Sequence, residues 1–454
     1  MLPWTTEQVI ALAPDAASVK AARGIGRPGQ WPTRGQNSRA LWGECQGSGG
    51  APYQISVDPG EPAFKCSCPS RKLPCKHVLG LLLLAAGQPD AVPAGEPPAW
   101  VSEWLAKREQ NAQRKASRAA EVEAAPEQQA KRAAAKDKRT AERQRKVEAG
   151  LDELDRWLRD LVRQGLTHAP NQQPRHWDRM AARLVDAQAP GLARWLREMS
   201  SLIISGEGWS ERLLAQLGSL YLLLEGYRRL DSLPEPLQAD IRSRIGWTWQ
   251  EADLPAEAWA RDRWLVVGQR SYEEETLRVR RTWLWGRECG RWALALDFAH
   301  QSQPMPPSAA PGTWLEAELG FLPSQYPLRA LLRNSIPVED RAMPPALADS
   351  VALLAAYAGA LAQQPWLEIL PATVAGLVPV HGEADAWFLR DAAANLLPVN
   401  PGFADPWRLL ALSGGLPLTV FGEWNGRQFW PLSAWISERF TMILRNQRWR
   451  GGIW

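Results

Sequence analysis

Four side chains that bind zinc well fall within twelve residues of this sequence. Cys66 and Cys68 form a Cys-x-Cys pair, and Cys75 and His77 form a Cys-x-His pair after a six-residue spacer. Residues i and i+2 of a strand point to one face, so the first two cysteines can share a metal ion. Prolines in the spacer turn the chain back, and the second pair completes a tetrahedron where an apolar helix begins. The spacing predicts a Cys₃His zinc site.

This zinc site is expected to be structural. A Cys₃His set fills all four positions of a tetrahedral ion, with bonds of about 2.3 Å to sulfur and about 2.0 Å to nitrogen, and leaves none for an activated water. The alternative is a set of free thiols, or a redox pair, in a loop. The matched Cys-x-His pair favours zinc, and Zn²⁺ is the one cofactor that the sequence predicts.

The segments around the four ligands predict a small ββα module. Residues 52–57 alternate apolar and polar side chains, as a half-buried strand does, and residues 63–66 can be the returning strand. Residues 78–86 are continuously apolar and predict a buried helix. Residues 24–50 are rich in glycine and break periodicity, which predicts turns and loops there.

The whole chain is expected to be α+β, in three parts. Residues 1–88 are a zinc-stapled ββα module, and residues 89–150 are a Pro-rich and then charged helical linker in which Pro126 interrupts the helix. Residues 151–454 form a larger, Trp-rich, mixed α+β region with antiparallel strands. This region is one domain or two, with the second boundary near residues 330–345.

Helices are expected first in the large region, at about residues 177–200 and 209–230, and an Ala/Leu-rich helix later at 346–362. Strand-like segments separated by turn residues predict an antiparallel meander, and they cover residues 264–267, 277–280, 292–296 and 314–319. Asn425-Gly426 predicts a hairpin turn between two further strands.

The composition excludes several classes of protein. The 454 residues contain no apolar run of about 18, so no transmembrane helix is expected. The first residues lack the pattern of a secretory signal, and five cysteines are few, which together predict a cytoplasmic protein. Residues 24–29 match G-x-G-x-x-G, but prolines prevent a helix from following, and no Walker motif is present. With few catalytic parts, no catalytic residues, enzyme activity or small-molecule substrate are expected.

Positive charge is concentrated near the zinc ligands and beyond the first module. Residues 107–148 contain 13 Lys+Arg and 7 Asp+Glu, a net charge of +6, whereas the whole chain carries only +4. Four cations flank the zinc ligands and are candidate phosphate contacts: Lys65, Arg71, Lys72 and Lys76. Aromatic residues are sparse there, and mixed-charge helices are usually solvated surfaces. Nucleic-acid binding is therefore an alternative function.

The chain contains 25 tryptophans, which allow two interpretations. Tryptophan is enriched at protein-interface hot spots, because its large rigid ring buries much area at little entropic cost. The rings can equally pack into the core of a composition rich in Ala, Arg, Pro and Trp. The sequence leaves both interpretations open.

The Cys-x-Cys, six-residue spacer and Cys-x-His pattern resembles the SWIM zinc finger. Residues 42–53 and 66–72 resemble bacterial SWIM zinc finger proteins of this length, and residues 182–193 and 280–284 are similar to them as well. The resemblance implies that Cys66, Cys68, Cys75 and His77 bind zinc in a ββα unit.

SWIM domains are proposed to bind DNA or proteins, and bacterial members often accompany MoxR-type AAA+ ATPases and von Willebrand factor A proteins. The resemblance therefore implies an adaptor that binds a protein partner, with nucleic-acid binding as the alternative. No membrane partner is expected.

Overall fold

The fold is mixed α+β, as the sequence predicts. The computed structural model describes residues 4–443 except residues 15, 47–50, 60–62, 71, 124–125, 167–173, 205, 275–276, 301–302, 304, 307 and 437. Within these described residues, none of the helices combines the length and the apolar character that crossing a membrane requires.

The N-terminal module packs three helices on a four-stranded antiparallel sheet in the order β1-β2-β3-β4. Its elements are α1 (Thr6–Ala11), α2 (Ala16–Ile25), β1 (Thr33–Gln36), β2 (Leu41–Cys45), β3 (Tyr53–Asp58), β4 (Ala63–Cys66) and α3 (Lys76–Gly87). The predicted hairpin and buried helix are confirmed as β3, β4 and α3. Helix α3 is apolar on nearly all sides because its side chains form the centre of this core.

The expectation of turns and loops throughout residues 24–50 is wrong, because β1 and β2 lie there. Their glycines are required by packing rather than by turns. A Cβ atom on Gly35 would lie 2.6 Å from the ring of Trp42, and one on Gly43 would lie 2.9 Å from the ring of Trp31. The two tryptophans therefore occupy the space that side chains at these strand positions would fill.

Two long helices lead into a helical bundle. These elements are α4 (Ala99–Glu123), α5 (Pro126–Gln164), α6 (Pro174–Asp186), α7 (Pro190–Leu202), α8 (Trp209–Arg228) and α9 (Glu235–Ile245). The predicted interruption at Pro126 stays a prediction, because residues 124–125 lie outside the described residues. Helix α5 continues past residue 150 without a break, and from Val147 onward one side of it is buried against α6 to α9. The proposed division of the chain at residues 88 and 150 stays a prediction.

The predicted antiparallel strands are confirmed in a five-stranded sheet of order β7-β6-β5-β8-β9, but the expected meander is only partly right, because β8 returns to pair with β5 and not with β7. Its strands are β5 (Trp259–Glu274), β6 (Leu277–Gly286), β7 (Trp292–His300), β8 (Trp314–Phe321) and β9 (Ala330–Val338). The residue before β9, Arg329, forms a parallel bridge with Leu294 of β7, so the two edges of the sheet meet. The sheet thereby closes into a barrel whose interior contains Trp264 and Leu284.

A second sheet covers part of the outside of this barrel. It has the order β12-β11-β10-β13-β14-β15. The remaining elements are α10 (Ser350–Gln363), β10 (Leu370–His381), β11 (Trp387–Arg390), β12 (Leu396–Pro398), α11 (Pro406–Ser413), β13 (Leu418–Trp424), β14 (Phe429–Ile436) and β15 (Arg439–Met442). The Asn425-Gly426 hairpin is confirmed between β13 and β14.

A buried carboxylate joins the barrel to the second sheet. Trp283 Nε1 donates a 2.7 Å hydrogen bond to Glu423 Oε1, and Arg281 Nε lies 3.0 Å from the same oxygen. Arg270 Nη2 lies 3.5 Å from Glu423 Oε2. Burial alone would raise the pKa of Glu423, but the charges of the two arginines outweigh it and hold the pKa below its ordinary value.

Most of the tryptophans pack inward. Of those that the structure describes, all but one are buried or half-buried, and Trp292 stacks on Phe421 between the barrel and the second sheet at 5.1 Å between ring centroids. The exception is Trp407 on α11, which is 61% exposed. Core packing therefore accounts for most of the tryptophans, and an interface role remains open for Trp407.

Candidate metal centre

The end of β4 and the start of α3 place the four predicted ligands. Cys66 is the last residue of β4, and Cys68 follows in the loop. The Ser67 backbone N–H donates to the Gln54 carbonyl at 3.0 Å, which holds this loop against β3. Cys75 precedes α3 in an extended conformation, and His77 lies in the first helical turn. The two pairs therefore face each other across the loop.

The four ligand atoms converge closely enough to hold one metal ion. The three cysteine sulfurs and one imidazole nitrogen all lie within 4.8 Å of one another. His77 Nδ1 is 3.8 Å from Cys66 Sγ and 4.0 Å from Cys75 Sγ. A tetrahedral Zn²⁺ would separate sulfur and nitrogen ligands by about 3.5 Å, given the usual bond lengths. The donor set and its spacing fit Zn²⁺.

The pKa values of the three thiol groups are shifted in opposite directions. Hydrogen bonding with Cys66 is the main cause that lowers the pKa of Cys75, to about 4. The same hydrogen bond, together with burial, raises the pKa of Cys66, and burial raises the pKa of Cys68. The protein alone thus favours one thiolate in the cluster. A divalent cation would supply the charge that lets all three sulfurs ionise.

The site is closed on the side of the core. Cys75 and His77 are buried, whereas Cys66 and Cys68 are half-buried. The ring of Tyr53 packs against the His77 ring, with 4.7 Å between centroids, and helps to hold the imidazole in place. With three sulfurs and one nitrogen supplied by the chain, a bound Zn²⁺ would tie a strand to a helix.

The other two cysteines lie outside the cluster. Cys45 is fully buried in the core of the N-terminal module, and burial is the main cause that raises the pKa of its thiol. Cys289 lies in the β6–β7 turn, where burial and a hydrogen bond with Asp262 raise its pKa to about 11. Neither environment favours a reactive thiolate.

The candidate phosphate contacts surround the exposed side of the site. Lys65 on β4, Lys72 in the loop and Lys76 at the start of α3 are exposed. Arg71 lies outside the described residues. Among the described residues, three of the four predicted cations therefore face solvent close to the metal ligands.

Comparison with protein families matches residues 56–86 to the SWIM zinc finger. This chain contains a SWIM zinc finger. The match includes all four ligands, and SWIM zinc finger domains are generally not catalytic. The resemblance seen in the sequence is thereby confirmed.

A second match identifies residues 142–245 as a SWIM-associated four-helix bundle domain. It begins within the segment predicted to be a charged linker and covers the end of α5 and helices α6 to α9. The burial of Val147, Leu151, Leu154 and Leu158 marks the same start, and their spacing is the sequence signal for it. Comparisons with curated proteins and with solved structures gave no match.

We expect Cys66→Ser and His77→Ala each to remove zinc from the SWIM finger and to unfold the N-terminal module, because three ligands bind the ion weakly and metal binding contributes to folding. Zinc per chain, measured by mass spectrometry, should fall from about one to near zero. Limited proteolysis should then cleave residues 1–88 and leave the helical bundle intact.

Cys45→Ser and Cys289→Ser are the matched controls, since they remove cysteines outside the cluster and should keep the full zinc content. Full zinc content together with native protease resistance in Cys66→Ser would refute the ligand assignment.

Proposed function

We propose that this SWIM finger protein is a non-catalytic adaptor that binds a protein partner. The four side chains of the finger would fill all four coordination positions of a zinc ion, which suits a structural role. The observation that carries the proposal is the exposure of Trp407. A tryptophan that is 61% exposed, in a chain that buries its other described tryptophans at least in part, marks a surface that a partner can cover.

Trp407 belongs to an aromatic cluster on the second sheet. Its ring lies 4.8 Å from Trp387 and 5.3 Å from His381, measured between centroids. His381 Nε2 and Asp385 Oδ1 are 2.9 Å apart. Ala384 and Asp385 have positive φ angles of 50° and 58°, which L-residues rarely adopt. This strained turn holds Asp385 beside the aromatic cluster, and such strain often marks a functional position.

The charges around the aromatic cluster favour a basic partner segment. Glu383 and Asp385 are exposed in the turn, and Asp405 is half-buried just before α11. A lysine or arginine from a partner could lie against the Trp407 ring and pair with these carboxylates. The resemblance to bacterial SWIM proteins suggests a MoxR-type AAA+ ATPase or a von Willebrand factor A protein as that partner.

We expect Trp407→Ala to weaken binding to such an ATPase or von Willebrand factor A protein by about 30-fold, which corresponds to the roughly 2 kcal/mol of an interface hot spot. Isothermal titration calorimetry with each purified partner measures this change. Leu354→Ala on α10 is the control, because Leu354 is also half exposed but lies on another element. Equal affinities of the Trp407→Ala variant and the unmodified protein would contradict the proposal.

Nucleic-acid binding by the finger is the second candidate function. Lys65, Lys72 and Lys76 are exposed beside the metal ligands, so they could contact phosphates if the finger approached a nucleic acid with its exposed side. The basic stretch at residues 107–148 could extend this contact along α4 and α5.

Replacing Lys65, Lys72 and Lys76 together by glutamine should weaken nucleic-acid binding and reduce the slope of log affinity against log salt by about 2 to 3, because each lost phosphate contact removes about 0.7 to 0.9. Zinc content should not change. Lys20→Gln is the control, since Lys20 is exposed on α2. An unchanged salt slope in the triple variant would exclude this candidate.

A further inference from the structure

The outer face of the barrel carries a regular array of side chains on β5, β6 and β7. The strand register aligns them in three rows across the sheet: Glu274–Leu277–His300, Tyr272–Val279–Phe298 and Arg270–Arg281–Leu296. We call these nine residues the outer array. The neighbouring residues Thr282 and Ala295 point to the barrel interior, so the outer array faces away from the barrel core.

One part of the outer array exposes apolar surface. Phe298 is 50% exposed and Leu277 is 40% exposed, while Tyr272 is half-buried. Val279, which lies between Tyr272 and Phe298 in the register, is only 1% exposed. An apolar floor with a solvent-exposed aromatic ring beside it offers a surface on which a flat group can stack.

Arginines flank the outer array on two sides. On one side, Arg194 of α7 donates a 3.4 Å hydrogen bond to Glu274. On the other side, Arg329 is bridged to Leu294 of β7 and is exposed. Burial, with repulsion from Arg281 and Arg194, lowers the pKa of Arg329 to about 10. Arg329 therefore lies in a recess that is open to solvent and close to the guanidinium groups of Arg281 and Arg194.

The carboxylates near the outer array are distributed unevenly. On the side of the helical bundle, Arg194 and Arg244 contact three of them, Glu198, Glu274 and Glu368. At the other end, Arg270 and Arg281 both pair with the carboxylate of Glu423. Among the described residues, Arg329 forms no ion pair. None of the groups that shift its pKa is a carboxylate. The repulsion that Arg281 and Arg194 exert on Arg329 indicates an excess of positive charge around it, where an anion would be stabilised.

We propose that the outer array and Arg329 bind single-stranded nucleic acid, with bases stacked on Phe298 and phosphates paired with Arg329. Exposed aromatic rings beside arginines are the usual means of binding single strands without sequence preference. Along β7, Leu294 and Phe298 are about 13 Å apart, so a ligand that reaches both ends must be longer than a single phosphate group. This site is separate from the finger lysines and does not depend on the adaptor proposal.

The connectivity of the barrel is compatible with this site. Its first strand pairs with the second and the fourth, and its third and fifth strands meet in parallel, as in an OB-fold. Because the same fold occurs with many functions, the connectivity assigns no ligand. The side chains of the outer array carry the proposal.

The test is fluorescence anisotropy of the zinc-loaded full-length protein with labelled oligo(dT) and oligo(U) of about 12 nucleotides. Phe298→Leu should weaken binding about fivefold to about 100-fold, whereas Phe298→Trp should preserve it, because stacking needs a ring. Arg329→Gln should weaken binding and reduce the salt slope by about 0.7.

Ile336→Ala on β9 and Arg390→Gln on β11 are the matched controls, since both residues are exposed away from the outer array. They should bind like the unmodified protein. The proposal is overturned if no variant of the outer array or Arg329 changes the affinity, if only the finger-lysine triple variant does, or if neither oligonucleotide binds at about 50 mM salt. Equal loss in Phe298→Leu and Phe298→Trp would likewise contradict stacking.

Discussion

The convergence of three thiol groups and one imidazole within 4.8 Å is the constraint on which the N-terminal module depends. Without a cation, the pKa values of Cys66 and Cys68 are raised while that of Cys75 is lowered, which disfavours three thiolates side by side. A bound Zn²⁺ would satisfy all four donors and fix the end of β4 against the start of α3. The apolar residues of α3 then pack on the sheet, and the exposed lysines take their positions around the finger.

A different interaction organises the C-terminal half. Glu423 of the second sheet is surrounded by Arg270, Arg281 and Trp283 of the barrel, and removing one partner from such a buried group is usually costly. The same two arginines form one row of the outer array. The contact that joins the two sheets thus also provides positive charge near the proposed single-strand site, while Trp407 lies on the second sheet as a separate candidate surface.

Local pattern was sufficient to predict the finger, because its ligands, hairpin and helix lie within 35 residues in sequence, from 53 to 87. The strands of the barrel were also predictable from alternation, but the return of β8 to pair with β5 was not. The charges around the outer array were not, because Arg194 of α7 and Arg329 come close to Arg281 only through the packing of the helical bundle, strand register and barrel closure. Gly35 and Gly43 misled the prediction, since their glycine character reflects tryptophan packing and not turns. The start of the helical bundle at Val147 was visible in the sequence as apolar residues at helical spacing. The polar part of α5 precedes Val147 without a break in the helix.

Zinc K-edge X-ray absorption of the purified full-length protein would determine directly whether the four side chains form a closed metal site. We expect one zinc site with three sulfur neighbours at about 2.3 Å and one nitrogen neighbour at about 2.0 Å. The spectrum should not require an oxygen neighbour from solvent. A site with two or fewer sulfurs, or with a bound water in place of His77, would contradict a closed structural finger.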